Sequence, residues 1–324
     1  MDKPITTAEV PPQFLRSAFL VGHIPQRALA SDPRISYALY VPPEHYNPNP
    51  QAIPDPNQIP PTTTKNNKPP LPLLVHVHGT SRNLTPIHTT LPAFANRTPC
   101  AILSPLFPAN LAHPNDLDSY AQVTAPTLRS DLALLSILSE IAHVWPGIDT
   151  TKIYLMGFSA GGQFAHRFLY LHPERIAAAS VGAPGRATML DSGVEWPAGI
   201  KDVDELFGRG VDRDALRDLG RAGAIQLVIG SEDVKVHGGD EFWVWVGEML
   251  AKKGVSETGK GGKGVKVQKK MDHGRMESLL ALKKGWEEMG IQTRFDVVEG
   301  VAHFSPGVQD CVLAFLGPLM RRGE

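Results

Sequence analysis

The chain has 324 residues, with 32 basic and 33 acidic side chains and a formal net charge of −1 at pH 7. This length, together with 42% hydrophobic residues, is sufficient for one large domain, residues 1–324, with a substantial core. The near-neutral charge argues against nucleic acid or an anionic membrane as a partner, so a small-molecule ligand is expected.

The composition of the chain also bears on its location. The first residues, "MDKPITTAEVPPQ", contain acids and prolines where a secretory signal has a basic end followed by an apolar stretch. The sequence contains no run of about 18 apolar residues that would suit a membrane-spanning helix. We therefore expect a cytoplasmic protein with no membrane partner.

Short apolar segments recur along the chain and predict β-strands. In chain order they cover residues 35–42, 71–79, 101–107, 152–158, 175–183, 224–230 and 293–300. Leucine and isoleucine at helical spacing predict a helix before the fourth of these strands, and a second helix from about 159 to 172 follows it. Such alternation is typical of an α/β fold with a mostly parallel sheet and helices on both faces.

Three segments interrupt the alternation. Residues 43–70 are rich in Pro, Asn and Thr and predict a surface loop. Residues 184–222 are too long for a simple crossover between two strands, and we interpret them as a short helical lid. Residues 253–270 are rich in Gly and Lys and predict a flexible, solvated loop.

A sharp turn between a strand and a helix contains the first candidate catalytic residue. "GFSAG", residues 157–161, places Ser159 between two glycines, after "KIYLM" and before "GQFAHRFLYLH". This is the strand, turn and helix arrangement of a nucleophile elbow, in which glycines permit a strained backbone and close packing. A serine that only caps the helix is the alternative interpretation.

A nucleophilic serine needs a base, and the base needs a carboxylate. Of the twelve histidines, His303 lies just past the last predicted strand, in "VVEGVAHFSPG". Glu232 and Asp233 follow another predicted strand in "VIGSEDVKV". With either acid, serine, acid and histidine follow strand ends in the order expected for this architecture. We choose Asp233, with Glu232 as the alternative, because the turn "GSED" gives Asp233 the longer reach beyond Gly230.

The same reasoning predicts two backbone donors for a developing oxyanion. One is the N–H of Ala160 at the start of the helix, and the other is the N–H of Thr80 after the strand "LLVHV". His78 is then expected to brace this loop. His76 and His78 have the spacing of a pair of metal ligands, but no third ligand is evident nearby, so neither a metal nor a cofactor is predicted.

These motifs together resemble the α/β-hydrolase superfamily: "HGT" (78–80), "GFSAGG" (157–162), "GSED" (230–233) and "VAHF" (301–304) occur in order. The segment from Arg129 through Ser180 is most similar to polyhydroxybutyrate depolymerases and to feruloyl and acetylxylan esterases. The resemblance covers roughly residues 35 to 320. It implies an α/β-hydrolase fold with a short lid insertion, and it implies that Asp131 is a structural acid that braces the helix packed beside the nucleophile elbow. An ordinary acid at a helix N-terminus is an equal alternative for Asp131.

The expected activity is hydrolysis of a carboxylic ester, lactone or thioester of a small soluble substrate through an acyl-enzyme. Trp196, Leu206 and Phe207 of the predicted lid are expected to bind an acyl or aromatic group, although packing between lid and core is an equal alternative. Two other functions stay open: acyl transfer, cyclisation or rearrangement by the same residues in small-molecule biosynthesis, and non-catalytic ligand binding on the same fold.

Overall fold

The structure, a computed structural model, describes residues 4–50, 68–111, 116–123, 128–234, 244–245, 248–249 and 274–321. Its central sheet contains β1 (Gly22–Leu29), β2 (Asp32–Val41), β3 (Leu71–Val77), β4 (Ala101–Leu106), β5 (Ile148–Phe158), β6 (Ile176–Gly182), β7 (Ile225–Gly230) and β8 (Arg294–Val298). The spatial order is β1-β2-β4-β3-β5-β6-β7-β8. β1 and β2 are antiparallel to their neighbours, whereas β3 to β8 are parallel, so the carboxyl ends of these six strands meet at one edge.

Helices cover both faces of the sheet. They are α1 (Leu91–Arg97), α2 (Ser119–Gln122), α3 (Ser130–Val144), α4 (Ala160–Leu171), α5 (Val203–Phe207), α6 (Arg213–Arg221), α7 (Arg275–Glu288) and α8 (Ser305–Arg321). Side chains of α3, α4 and α7 belong to one hydrophobic core, and side chains of α1 and α8 belong to the other. Two cores separated by a parallel sheet are the arrangement that alternating strands and helices produce.

The central strand β3 shows why the inner strands read as continuous apolar runs. Leu73, Val75 and Val77 face the core that α3 and α4 share, whereas Leu74 faces the core that α1 and α8 share. Both faces of such a strand are buried, so polar alternation is lost. The same burial fixes the position of the strand's carboxyl end, where the next loop begins.

The predicted fold class is confirmed, since each predicted strand and both predicted helices correspond to an observed element with small differences at the ends. The sequence analysis missed β1, which pairs antiparallel with β2 at the edge of the sheet. Its sequence, "GHIPQRAL", contains Pro25 and polar residues and is largely exposed, so no apolar alternation marks it. α1 was also not predicted.

The three irregular segments differ in how far the structure describes them. Residues 43–50 and 68–70 of the Pro-rich segment are turns and irregular backbone. The segment 184–222 contains α5 and α6. The Gly- and Lys-rich segment 253–270 lies outside the described residues. In the part of the chain that the structure describes, no helix combines the length and apolar character that crossing a bilayer requires.

Candidate active site

Ser159 lies at the sharp turn between β5 and α4. Its φ of 58° and ψ of −120° are strained for a residue with a side chain. Its N–H donates to the carbonyl oxygen of Gly182, 2.9 Å away, which ties the turn to β6. A Cβ at Gly157 would overlap the backbone of Gly161, and a Cβ at Gly161 would overlap the carbonyl oxygens of β3 and the following residue. Only glycine fits on either side of the serine.

The hydroxyl of Ser159 does not cap α4, although Ser159 holds the N-cap position. Its Oγ lies 2.9 Å from Nε2 of His303 instead. A serine that only capped the helix would direct its hydroxyl at the helix backbone. The Ser159 hydroxyl is directed at an imidazole instead. The ring of His303 also packs against Phe158, with 4.9 Å between the ring centroids.

Asp233 completes a chain of three hydrogen-bonded side chains. Its Oδ2 accepts a hydrogen bond from Nδ1 of His303 at 2.6 Å, and its side chain is fully buried. Because a carboxylate only accepts, the ring proton is on Nδ1, and Nε2 presents a lone pair to the Ser159 hydroxyl. The neighbouring Glu232 is exposed, and its N–H donates to the carbonyl oxygen of Val301. The structure thus places Asp233, rather than Glu232, against the imidazole.

The two residues predicted to stabilise an oxyanion flank this serine. A Cβ on Gly79 would lie 3.8 Å from Cβ of Ser159, so the backbone that leads into Thr80 passes next to the hydroxyl. The side chain of Thr80 is held by a hydrogen bond of 2.9 Å to Oδ1 of Asp118. Ala160 is the buried first residue of α4. Donation from the two N–H groups to a substrate stays a prediction.

His78 braces the loop that contains Gly79. Its Nδ1 lies 2.8 Å from the carbonyl oxygen of Gly79, and its Nε2 accepts the N–H of Phe107 at 3.1 Å. Tyr120 donates its hydroxyl to the carbonyl oxygen of His78 at 2.8 Å. Burial lowers the pKa of His78 to about 4, so the ring is neutral in the range where a hydrolase base works.

Arg82 holds the same loop from the other side and was not identified from the sequence. Its Nη1 donates to the carbonyl oxygen of Thr80 at 2.7 Å, its Nε donates to that of Phe107 at 3.2 Å, and its guanidinium lies 5.0 Å from the ring centroid of Tyr120. The signal in the sequence is slight, since an arginine three residues past a glycine is common in loops.

His76, the other histidine with metal-ligand spacing, is buried and contacts Ser104. Burial lowers its pKa to about 4, and its Nδ1 lies 3.4 Å from the hydroxyl oxygen of Ser104. Within the described residues, no group of three or more His, Cys, Asp or Glu side chains is arranged to hold a metal ion.

The three predicted substrate-binding residues are spread between core and surface. Trp196 is buried, donates its indole N–H to the carbonyl oxygen of Gln122 at 2.7 Å, and lies edge-on to Phe207. The guanidinium of Arg167 lies 5.9 Å from the Trp196 ring. Leu206 is 44% exposed. These contacts are those of a packed insertion, and binding of substrate by the three residues stays a prediction.

A buried arginine anchors the insertion to α4. Arg167 donates to Oγ1 of Thr188 at 2.8 Å and to the carbonyl oxygen of Ala121 at 2.6 Å. Thr188 in turn donates its hydroxyl to the carbonyl oxygen of Pro197 at 2.6 Å and its N–H to Nε2 of His166 at 2.9 Å. Burial lowers the pKa of Arg167 to about 9. The first part of the segment 184–222 is therefore hydrogen-bonded to α4, the helix that follows Ser159.

Asp131, near the start of α3, contacts the residue that ends α4. It is fully buried and accepts two hydrogen bonds from Arg129, at 2.8 and 2.6 Å, and one from Nε2 of His172 at 2.9 Å. Burial alone raises the pKa of Asp131, but the hydrogen bonds from His172 and Arg129 outweigh it and lower that pKa. The acid is a structural brace between the two helices.

A second buried arginine contacts the site itself and has no signal in the sequence. Nη1 of Arg275, the first residue of α7, lies 3.3 Å from Oδ1 of Asp233. Burial lowers the pKa of this arginine, and the charge of Asp233 acts in the opposite direction. Residues 233 and 275 belong to different elements, so sequence spacing gives no indication of the pair.

Together, the sheet order, the nucleophile elbow and the order of the three side chains define the class of protein: the chain has the α/β-hydrolase fold. It is similar to the poly(3-hydroxybutyrate) depolymerase LpqC from Bordetella parapertussis, with a TM-score of 0.57, 19% identity, and coverage of 99% of this chain and 95% of that one. The family resemblance seen in the motifs is thereby confirmed at the level of the fold.

Two further solved structures are similar. Poly(aspartic acid) hydrolase-1 from Sphingomonas sp. KT-1 has a TM-score of 0.56 and 18% identity, over 86% of this chain and 92% of that one. The S-formylglutathione hydrolase from Agrobacterium tumefaciens has a TM-score of 0.51 and 14% identity, over 93% and 99%. No protein-family model matches the chain, and no curated protein matches it in sequence.

Proposed function

We propose that the protein is a serine hydrolase that cleaves a carboxylic ester, lactone or thioester of a small molecule through an acyl-enzyme. The proposal depends on one observation: two hydrogen bonds connect Ser159 to His303 and His303 to Asp233. Each of these side chains follows a different parallel strand, and the strained turn presents the serine hydroxyl to the imidazole.

The proposed reaction uses each contact in turn. As Oγ of Ser159 attacks the acyl carbon, Nε2 of His303 accepts the hydroxyl proton, and Asp233 stabilises the resulting imidazolium. The N–H groups of Thr80 and Ala160 receive the negative charge that develops on the carbonyl oxygen. His303 then gives the proton to the departing alcohol or thiol, which leaves an acyl group on Ser159.

Water completes the cycle by the same steps in reverse order. His303 takes a proton from water as the water oxygen attacks the acyl carbon, and the proton returns to Oγ of Ser159 when the acid leaves. All proton transfers in this scheme involve groups of the chain, the substrate and the attacking water. The hydrolases named in the structural comparison support hydrolysis in general, because a polyester depolymerase and a thioester hydrolase share this fold.

The surroundings of the site favour an apolar acyl or aromatic group. Phe304 follows His303 directly and is 60% exposed, and Val234 follows Asp233 and is 58% exposed. Each of these exposed apolar side chains is adjacent in the chain to a residue of the candidate site, which supports contact with an apolar part of a ligand. We propose that they bind the substrate together with Trp196, Leu206 and Phe207.

A fluorophosphonate probe tests the nucleophile. The wild-type protein is expected to be labelled, the Ser159→Ala variant is expected to stay unlabelled, and Ser136→Ala, which removes an exposed hydroxyl from α3, is expected to be labelled like the wild type. A folded wild-type protein that resists labelling would contradict the proposal and support the ligand-binding alternative.

A panel of p-nitrophenyl esters of increasing acyl length then defines the acyl group. Isotopically labelled water separates hydrolysis from acyl transfer, because only hydrolysis places the label in the released acid. A product without label would show that the same residues pass the acyl group to another acceptor.

A further inference from the structure

Asp233 has two carboxylate oxygens, and a buried arginine contacts the one that is not hydrogen-bonded to His303. We propose that Arg275 is a positioning residue for the proposed active site, which fixes the Asp233 carboxylate against the imidazole and opposes protonation of that imidazole. This inference rests on the proposed function, since it assigns Arg275 a role in the turnover that Ser159 would carry out.

The geometry separates the two oxygens of the carboxylate. Oδ2 accepts from Nδ1 of His303 at 2.6 Å, and Oδ1 faces Nη1 of Arg275 at 3.3 Å. The side chain of Asp233 is fully buried and that of Arg275 is 5% exposed, so neither charge is screened by bulk water. With a partner on each oxygen, rotation of the carboxylate about its Cβ–Cγ bond would break a contact.

The backbone places α7 directly against the acid. Gly274, just before Arg275, is so close to the residue after Asp233 that an added Cβ would lie 3.0 Å from the carbonyl oxygen of Val234. Asp233, Arg275 and His303 come from three separate places: the loop after β7, the start of α7 and the loop after β8. The position of α7 therefore determines where Arg275 holds the Asp233 carboxylate, and that carboxylate in turn orients His303.

The charge of Arg275 has a direction of effect on the imidazole. A resting site with neutral His303 holds one cation and one anion, Arg275 and Asp233, whereas a protonated imidazole adds a second cation. Arg275 therefore favours neutral His303, the form that can accept a proton. Loss of the arginine charge moves the acid limb of the pH profile to higher pH.

Among the described residues, the other side chains that contact His303 are uncharged. Phe158 from β5 is apolar, and the Ser159 hydroxyl is neutral. Glu232 in the loop after β7 is exposed. Among the described residues that contact the ring, Asp233 is the charged one, and its other ion-pair partner is Arg275.

The test compares two substitutions that separate charge from shape. Arg275→Gln keeps a hydrogen-bond donor without charge, and Arg275→Lys keeps charge without the planar fork. We measure kcat and KM for p-nitrophenyl acetate across the pH range. For Arg275→Gln we expect the midpoint of the acid limb of kcat/KM to rise by about half a unit or more, and kcat to fall about 10-fold or more with little change in KM.

Arg275→Lys should keep the acid limb of the wild type while losing part of kcat. Lys283→Gln is the matched control, because it removes a cation from the same helix where it pairs with Glu287, and it should leave both values unchanged. The downfield proton resonance of His303 Nδ1–H gives a second readout that needs no substrate, and we expect it to shift or broaden in Arg275→Lys.

Several outcomes would overturn the inference. If folded Arg275→Gln keeps the kcat and acid limb of the wild type, the ion pair is only structural. Should Arg275→Gln fail to fold, an unchanged kcat and an unchanged Nδ1–H resonance in Arg275→Lys would reject positioning just as well. A wild-type protein without ester turnover or probe labelling would instead reject the proposed function, so the two failures are distinguishable.

Discussion

Nδ1 of His303 lies 2.6 Å from Oδ2 of Asp233, although 70 residues separate the two in the chain. The parallel sheet makes this meeting possible, because β7 and β8 are neighbours and both end at the edge where β5 ends. The loop after β8 also hydrogen-bonds to the loop after β7, through the N–H of Glu232 and the carbonyl oxygen of Val301. Backbone pairing between the two loops thus sets the distance between acid and imidazole.

The choice between the two acids can be tested by paired substitutions. In Asp233→Asn, an amide replaces the acceptor for Nδ1–H, which favours the wrong tautomer, and we expect kcat to fall about 10⁴-fold. Glu232→Gln alters an exposed side chain and should keep wild-type kcat. Steady-state kinetics on one p-nitrophenyl ester distinguish the two acids. A severe loss of kcat in Glu232→Gln alone would show that the acid is misassigned.

The same Asp233→Asn variant should also be less stable than the wild type. The Arg275 guanidinium would stay buried without its charged partner, which costs about 3 kcal/mol or more in comparable buried pairs. Urea denaturation measures the change in the free energy of unfolding. Glu232→Gln again serves as the comparison, and equal stability of the two variants would contradict a buried ion pair at this position.

The bracing role of His78 predicts a loss of rate without a change in pH dependence. His78→Ala removes the contacts to Gly79 and Phe107 that hold the loop before Thr80, and a misplaced oxyanion donor lowers kcat by about 10²-fold. Since the pKa of His78 is about 4, the acid limb of the profile should stay where it is. The exposed His143→Ala is the control, and a shifted limb in His78→Ala would mean that His78 titrates during turnover.

Glycine at position 161 is predicted to be essential for the turn. In Gly161→Ala the new Cβ overlaps the backbone of β3 and His78. We therefore expect the free energy of unfolding to fall by about 2 kcal/mol or more, and we expect the probe no longer to label Ser159. Gly285→Ala is the matched control inside α7, where the added Cβ meets only the end of the Met189 side chain at 3.2 Å. That variant should unfold at the same urea concentration as the wild type or at a slightly higher one. Equal losses of stability at both positions would contradict the steric argument.

Buried histidines predict a loss of stability in mild acid. Burial lowers the pKa of His166 to about 3 and those of His76 and His78 to about 4, against about 6.5 in an unfolded chain. Below pH about 6.5 the unfolded chain binds protons that these rings in the folded chain do not. Each ring therefore lowers the free energy of unfolding by about 1.4 kcal/mol per pH unit down to its folded pKa.

Urea denaturation at several pH values between about 7.5 and 5 checks this expectation. The three rings together contribute a slope of about 4 kcal/mol per unit, and His166→Asn should be less stable at neutral pH but lose stability less steeply in acid. A variant with the same slope as the wild type would show that His166 is protonated in the folded protein.

The sequence predicts those features that local patterns determine. The inner strands are apolar because both faces are buried, and Ser159 stands out because glycines and a strand-to-helix transition surround it. His303 was placed by its position after the last strand. The β1 strand was missed because an edge strand with Pro25 needs no apolar alternation.

The remaining contacts depend on distant parts of the chain. Arg275 meets Asp233 from a helix that begins 42 residues later, and Arg82 stacks over a tyrosine 38 residues away. Such pairs arise from the packing of whole elements and leave no period or motif in the sequence. Trp196 is an intermediate case, since an aromatic residue in an insertion suits a substrate pocket and a packed core equally well.

The environment of Arg167 ties one stretch of the insertion to α4. The acceptors of this guanidinium are carbonyl and hydroxyl oxygens, some of which belong to residues 186–197, and an outward swing of that stretch would strip a buried cation of them. Arg167, Thr188 and Pro197 therefore form one buried hydrogen-bonded unit, and residues 186–197 are expected to keep their place on α4 during any movement of the rest of the insertion.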